Sequence, residues 1–202
     1  MQRAASIAEP NSSEDDGLLM ARLQAGDDTA LAMLMSRWEM PVKAVIARIV
    51  LNATEAEDLA QEAFVRVWQQ RGRFRPGAEF RPWLFAIAIN LARNRLRWWR
   101  RRPEVTLDQW DNAGGREVAA DAVRVPGEGS VRWTMEQAEL AAAVRAAIAA
   151  LPVDLREALI LSEYELLSQA EIAKIVGATV KAVETRIYRA KQKLRHALRA
   201  VA

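Results

Sequence analysis

Leucine, alanine, isoleucine and methionine recur three and four residues apart along most of the chain. No stretch alternates apolar with polar residues in the two-residue rhythm of a strand. The pattern predicts an all-α fold. It breaks clearly once, in PEVTLDQWDNAGGREVAADAVRVPGEGS, which carries two prolines, four glycines and an acidic excess. Residues 103–130 therefore read as a flexible acidic linker between two small helical domains, 27–102 and 131–202. Residues 1–26 read as a disordered acidic tail.

In the first domain a helix is expected from about Thr29 to Leu51, kinked or split at Pro41, because proline lacks the amide donor and crowds the preceding turn. In TEAEDLAQEAFVRVWQQ, Thr54 and Glu57 fit a capping box, and Ala60, Phe64, Val67 and Trp68 form one apolar stripe. The turn RGRFRPGAEFRP leads to a third helix with Pro82 near its first position. At about 100° per residue, Asn90, Arg93, Asn94, Arg97, Arg100 and Arg101 share one face of that helix. Leu84, Phe85, Ile87, Ala88, Leu91, Ala92 and Leu96 share the other, which Trp98 and Trp99 extend. The two tryptophans are thus expected to pack in the domain or dock on a partner rather than stack on bases. Arg95 falls on the apolar side, so this end is not expected to be deeply buried.

The second domain begins with an alanine-rich helix, WTMEQAELAAAVRAAIAALP, followed by LREALILSEYELL. In LSQAEIAKIVGATVKAVETRIYRAKQKLRHAL, Ser168 and Glu171 make a capping box, and Ile172, Ile175 and Val176 supply the apolar side of a short helix. Gly177 suits the left-handed residue that ends it, and Thr179 can cap the next. The result is a helix-turn-helix. Its longer helix turns Val183, Ile187, Ala190, Leu194 and Leu198 inward. Lys181, Thr185, Tyr188, Arg189 and Gln192 point outward, flanked by Glu184, Arg186, Lys191 and Arg195. Such a face suits a DNA major groove; an amphipathic helix in a bundle is the plainer alternative, and the two caps with the basic face favour DNA.

Composition narrows the classes. With 51% apolar residues in 202, the chain has ample material for folded cores. It has no cysteine and a single histidine, His196, so neither a disulfide framework nor a zinc cluster is expected, and no cofactor is implied. The longest uncharged run, Pro82 to Ala92, is far short of the roughly 20 residues of a membrane-spanning helix, and the polar N-terminus has no apolar segment of the secretion-signal type. A cytoplasmic protein is expected. Charge is blocked along the chain: residues 66–102 hold 11 arginines against Glu79, and residues 181–199 hold seven basic side chains against Glu184, in an otherwise acidic sequence. Two separate contacts with a polyanion would explain this, as would solvated helix faces.

With these residues placed, the chain resembles the extracytoplasmic-function (ECF) group of bacterial RNA polymerase sigma factors over about residues 27–102 and 135–199. The similar segments are Gly26, Asp27, Leu34 and Arg37, then AEDLAQEAFVRVW (56–68), the Arg73-Phe74 turn, WLFAIAINLARNRLR (83–97), ALPVDLREALIL and the helix-turn-helix. No single motif is decisive; their joint order is specific.

The resemblance implies a specificity subunit that binds core RNA polymerase, directs it to promoter DNA and helps open the duplex. Domain 27–102 would be sigma region 2 and 131–202 sigma region 4. Asp58, Gln61, Glu62 and Val65 would meet the clamp helices of the largest polymerase subunit, with region 4 on the flap. Arg73, Phe74, Arg75, Phe80 and Arg81 would capture minus-10 bases, and Asn90, Arg93, Asn94, Arg97, Arg100 and Arg101 would line the strand path. Phe74 and Phe80 could equally be core. Lys181, Glu184, Thr185, Arg186, Tyr188, Arg189 and Gln192 would read the minus-35 duplex. The linker would follow the RNA exit path, and an anti-sigma factor is an implied partner.

The chain departs from the family pattern at Ala86 and Ile89, where arginine is frequent, at Asn94, where aspartate is common, at Trp98-Trp99, and at Glu184, so the promoter sequence is not legible. Two rival readings are a stand-alone helix-turn-helix regulator, which leaves AEDLAQEAFVRVW unexplained, and a sigma mimic that titrates an anti-sigma factor. An enzyme is not expected, because no nucleophile-base set, phosphate-cradling loop or metal cluster occurs.

Overall fold

The computed structural model describes residues 12–102 and 135–199, so the expected linker lies outside the described residues. Eight α-helices make up the described fold: α1 (Ser12–Gln24), α2 (Thr29–Val50), α3 (Ala53–Gln70), α4 (Phe80–Arg101), α5 (Met135–Ala149), α6 (Val153–Glu163), α7 (Gln169–Val176) and α8 (Val180–Leu198). A short 3-10 turn, Arg71–Arg73, follows α3. The described chain contains no strand, and the expected all-α class with two helical units is what the structure shows.

Helix α1 corrects the expectation of a disordered tail. Leu19, Met20 and Leu23 are buried. The carboxylate of Asp16, only 1% exposed, accepts from Arg37 Nη1 at 2.5 Å and Trp38 Nε1 at 2.9 Å. A short acidic segment thus becomes a core element because the inward Asp16 has a cation and an indole waiting on α2.

Helix α2 is not split at Pro41, which sits inside a single helix. Proline removes one main-chain hydrogen bond. The eight buried residues of α2, Leu34, Val42, Val45 and Ile46 among them, offset it by packing chiefly on α3. Leu51, in the left-handed region at φ 59°, closes α2, and Asn52 opens α3 by accepting from the Glu55 amide at 3.0 Å. The cap is therefore Asn52 and not Thr54. The expected stripe on α3 is buried through Ala60, Phe64 and Val67, whereas Trp68 is exposed at its edge.

The buried core continues from α1–α4 into Ala158, Ile160 and Leu161 of α6 and Ile172, Ala173, Ile175 and Val176 of α7. Helix α4 packs along α7, and α2 along α6. A smaller cluster of Ile148, Leu151, Leu155, Leu159 and Ala190 joins α5, α6 and α8. Arg156, buried on α6, ties the halves together, donating to the carbonyls of Ile49 (2.8 Å), Ala149 (2.8 Å) and Leu151 (3.0 Å).

Candidate nucleic-acid and partner interfaces

Local chemistry sets the helix-turn-helix. Ser168 Oγ accepts from the Glu171 amide and the Ser168 amide donates to Glu171 Oε2 at 2.8 Å, a complete capping box at the start of α7. Hydrogen bonding from Ser168 holds the Glu171 carboxyl below its usual range. Gly177, at φ 67°, takes the left-handed position that ends α7, and Thr179 caps α8 through the Ala182 amide at 3.2 Å. Helix α8 then buries Val183, Ile187 and Ala190, while Leu194 and Leu198 are only half-buried.

On the opposite face Lys181, Glu184, Tyr188, Arg189 and Gln192 are exposed. Glu184 is paired with Lys181 at 2.9 Å, and Gln192 Nε2 donates to the Tyr188 hydroxyl at 2.7 Å. Two of the expected reading residues are less available. The Thr185 hydroxyl donates back to the Lys181 carbonyl, and Arg186 is half-buried and faces Asp154 on α6 at 3.7 Å.

The loop between α3 and α4 is pinned from a direction that sequence reasoning missed. Gln24 Nε2, on α1, donates to the carbonyls of Arg71 (2.7 Å) and Phe74 (2.8 Å). Behind the loop, Phe74, Phe80 and Trp83 form an aromatic cluster with centroids 5.2 to 6.2 Å apart, and Trp38 packs on Phe80. Phe80 is 1% exposed and belongs to the interior, which corrects its assignment to base capture. Phe74, at 5%, still lines a cleft of about 560 Å³ between α1 and the loop, together with Leu18, Ala21, Pro76 and Gly77. Arg73 and Arg75 are exposed beside it. Leu18 and Gln24 could have been noticed only if the tail had been read as a helix.

Helix α4 exposes Asn90, Asn94, Arg97, Arg100 and Arg101, with Arg97 donating to the Asn94 side chain. Arg95, on the apolar side as expected, is half-buried and paired with the buried Glu55 at 2.5 Å. The tryptophan pair divides: Trp99 packs against the core, and Trp98 is exposed with the Arg102 guanidinium 5.4 Å from its ring. Arg81 and Arg93 are drawn into the other half of the molecule. Arg93 Nε and Nη2 donate to Glu157 at 2.8 and 2.5 Å, and Nη1 to the Val176 carbonyl at 3.1 Å. Hydrogen bonding to Glu157 raises the Arg93 pKa further. Arg81 donates to the Glu165 carbonyl and to its Oε2 at 3.1 Å.

On α3, Asp58, Gln61 and Val65 are exposed together, and Glu62 pairs with Arg66 at 2.8 Å. Trp68 extends this face, its Nε1 donating to Asp28 and its ring under the Arg71 guanidinium. Among the described residues no acidic or histidine cluster could hold a metal ion, and no helix is long and apolar enough to cross a membrane.

Sigma-70 region 2 matches residues 34–102 and sigma-70 region 4 matches residues 141–194. The chain is 37% identical to the RNA polymerase sigma-H factor of Pseudomonas aeruginosa, over 92% of this chain and 94% of that protein. It is 31% identical to the ECF RNA polymerase sigma-E factor of Escherichia coli K12, over 88% and 91%. Among solved structures it is similar to CnrH in complex with the cytosolic domain of CnrY, with a TM-score of 0.66 and 27% identity over 93% of this chain and 99% of that one. The fold also matches the sigma factor RpoE solved with the anti-sigma factor NepR from Bartonella quintana, with a TM-score of 0.62 and 22% identity over 83% and 96%. The chain belongs to the sigma-70 family of RNA polymerase sigma factors, and within it to the ECF type.

Proposed function

We propose that this sigma factor binds core RNA polymerase through the exposed face of α3, reads the minus-35 element through α8, engages the minus-10 element through the Arg73–Arg81 loop and α4, and promotes strand opening. The observation that carries the reading is the outward face of α8. Lys181, Tyr188, Arg189 and Gln192 stand exposed on a helix whose start is set by two successive caps, so phosphate-neutralising and base-edge groups project together from a rigid element. The domain scheme goes with it: sigma region 2 over 27–102, a linker over 103–130 and sigma region 4 over 131–202, with α1 now attached to the first. Asp58, Gln61, Glu62 and Val65 remain the proposed polymerase contacts, joined by Trp68.

The cleft beside Phe74 has the apolar wall and neighbouring arginines that an unstacked base needs, so base capture is assigned to Arg73, Phe74 and Arg75. The protein acts as a binding subunit and not an enzyme, in the cytoplasm. The likeness to CnrH, solved with the cytosolic domain of CnrY, supports a protein partner, and membership of the ECF group makes an anti-sigma factor the partner to seek.

Purified protein mixed with core polymerase tests this. The expected result is a complex that survives gel filtration and starts transcripts from specific promoters on fragments of the source genome. Lys181→Glu with Arg189→Glu should weaken promoter binding and lower the salt dependence by about one unit of slope per lost phosphate contact, while core association persists. Absence of both complex and transcript refutes the function.

A further inference from the structure

The tryptophan pair at the end of α4 is contiguous in sequence and divided by the fold. Trp99 packs against the core, whereas Trp98 is 37% exposed. We propose that Trp98 is a base-stacking residue for unpaired DNA, which extends the α4 strand path by one aromatic platform toward the C-terminal end of the helix.

Helical spacing sets the placement. Asn90, Asn94 and Trp98 stand four residues apart, with Arg102 four further on at the helix end, and all four are exposed. At about 100° per residue each step of four turns by only about 40°, so they form one ridge along the helix surface. The ridge climbs about 12 Å from Asn90 to Trp98. Arg97 and Arg101, also exposed, run beside it, and α4 contains no acidic residue. A strand that follows Asn90 and Asn94 is therefore led onto the indole with cations alongside.

The indole brings what the arginines lack. Arginine neutralises phosphate whatever base is attached, so a wholly basic helix end holds the backbone alone. A flat aromatic surface takes up the base itself, and does so for any base because each has a π-face. The Arg102 guanidinium stands 5.4 Å from the Trp98 ring, within cation–π reach, which holds the indole on the ridge and sets a charge for phosphate next to the stacking surface. Trp98 is also one of the positions where the chain departs from its family's pattern, so the platform is this chain's own addition to the path.

The inference rests on the assignment of α4 to single-stranded DNA, and its test separates the two. Full-length protein is titrated, by fluorescence anisotropy, into a dye-labelled 12-nucleotide single-stranded DNA of mixed sequence and into a strand of equal length built of abasic sites, which keeps the phosphates and lacks the bases. Trp98→Ala should weaken binding of the base-bearing strand about tenfold, or about 1.4 kcal/mol, within the range of one base–aromatic stack. Trp98→Phe should retain most of the affinity, and Trp98→Leu, apolar without a π-face, should be as weak as Trp98→Ala. Affinity for the abasic strand should be the same in all of these proteins.

Unchanged affinity for the base-bearing strand in folded Trp98→Ala overturns the inference, as does an equal loss on both strands, which would mean an effect through the fold or the phosphates. If Trp98→Ala unfolds by circular dichroism, Trp98→Leu against Trp98→Phe decides: equal strand affinities overturn stacking, and a deficit in Trp98→Leu confined to the base-bearing strand supports it. Loss of the complex with core polymerase in a Trp98→Ala protein that binds the strand normally assigns the residue to a protein contact instead. Arg97→Ala with Arg101→Ala should weaken both strands. Strand binding that survives this change sinks the assignment of α4, whereas strand binding that falls with it and ignores every Trp98 change sinks only the stacking role.

Discussion

Arg156→Met probes a buried tie between the halves, whose bond to the Ile49 carbonyl crosses from α6 to α2 while the other two hold the end of α5 and the turn after it. Methionine fills most of the volume of the arginine stem, so little cavity is created, but three carbonyls lose their donor. The Ala149 carbonyl ends α5 beside the exposed Ala150 and can turn to water. Those of Ile49 and Leu151 belong to buried residues. An unsatisfied buried carbonyl costs about 1–3 kcal/mol, which sets a loss of roughly 2–6 kcal/mol for the two.

Part of this is returned, because burial of the guanidinium is itself unfavourable. Desolvation lowers the Arg156 pKa, and its Nε is buried without a hydrogen-bond partner. The expected net loss is about 2–3 kcal/mol. With a urea slope of about 2 kcal/mol per molar, the midpoint should fall by at least about 1 M. Far-UV circular dichroism follows every helix, whereas Trp38, Trp68, Trp83, Trp98 and Trp99 lie in α2–α4, so with Trp110 and Trp133 replaced by phenylalanine the remaining fluorescence reports the first half alone. Coincident shifts in both probes would show that Arg156 couples the halves. A midpoint within about 0.3 M of wild type would refute the assignment of stability to these three bonds.

Trp99→Ala should cost about 2–3 kcal/mol by urea titration and Trp98→Ala under about 1, since only Trp99 packs on the core. Trp99→Phe should be nearly neutral, because the indole Nε1 is buried without a partner; equal losses for the two alanine variants would contradict the division of the pair. Ser168→Ala should lower stability by about 1 kcal/mol at pH 7, read as a drop in Tm. Because the Glu171 carboxyl is held below its ordinary value, its contribution is present above about pH 4.5 and fades as pH falls through the lower folded value, so the Ser168→Ala deficit should shrink toward pH 3. A deficit that grows on acidification would reverse the sign.

What the sequence by itself determined is what lies within a turn or two of chain. Three-and-four spacing decided the helical class, and Ser168, Glu171, Gly177 and Thr179 decided the helix-turn-helix, because a cap joins residues at most four apart. The outward set on α8 was legible for the same reason. The order of the motifs along the chain was enough to indicate the family.

Only the tertiary structure decided which side chains lose their solvent. Asp16 finds Arg37 and Trp38 across 21 and 22 residues and makes a helix of an apparent tail. Phe80 withdraws into an aromatic cluster drawn from α2, α4 and the loop between α3 and α4, although its local sequence is as polar as that of Phe74. Arg95 finds Glu55, and Arg93 finds Glu157 some 64 residues away. Helical periodicity can say that an arginine lies off the apolar face; it cannot say whether water, a phosphate or a carboxylate from another helix will meet it. Burial and ion pairing depend on which surfaces come together in space, and that is settled by the sum of packing across the whole chain rather than by any local window.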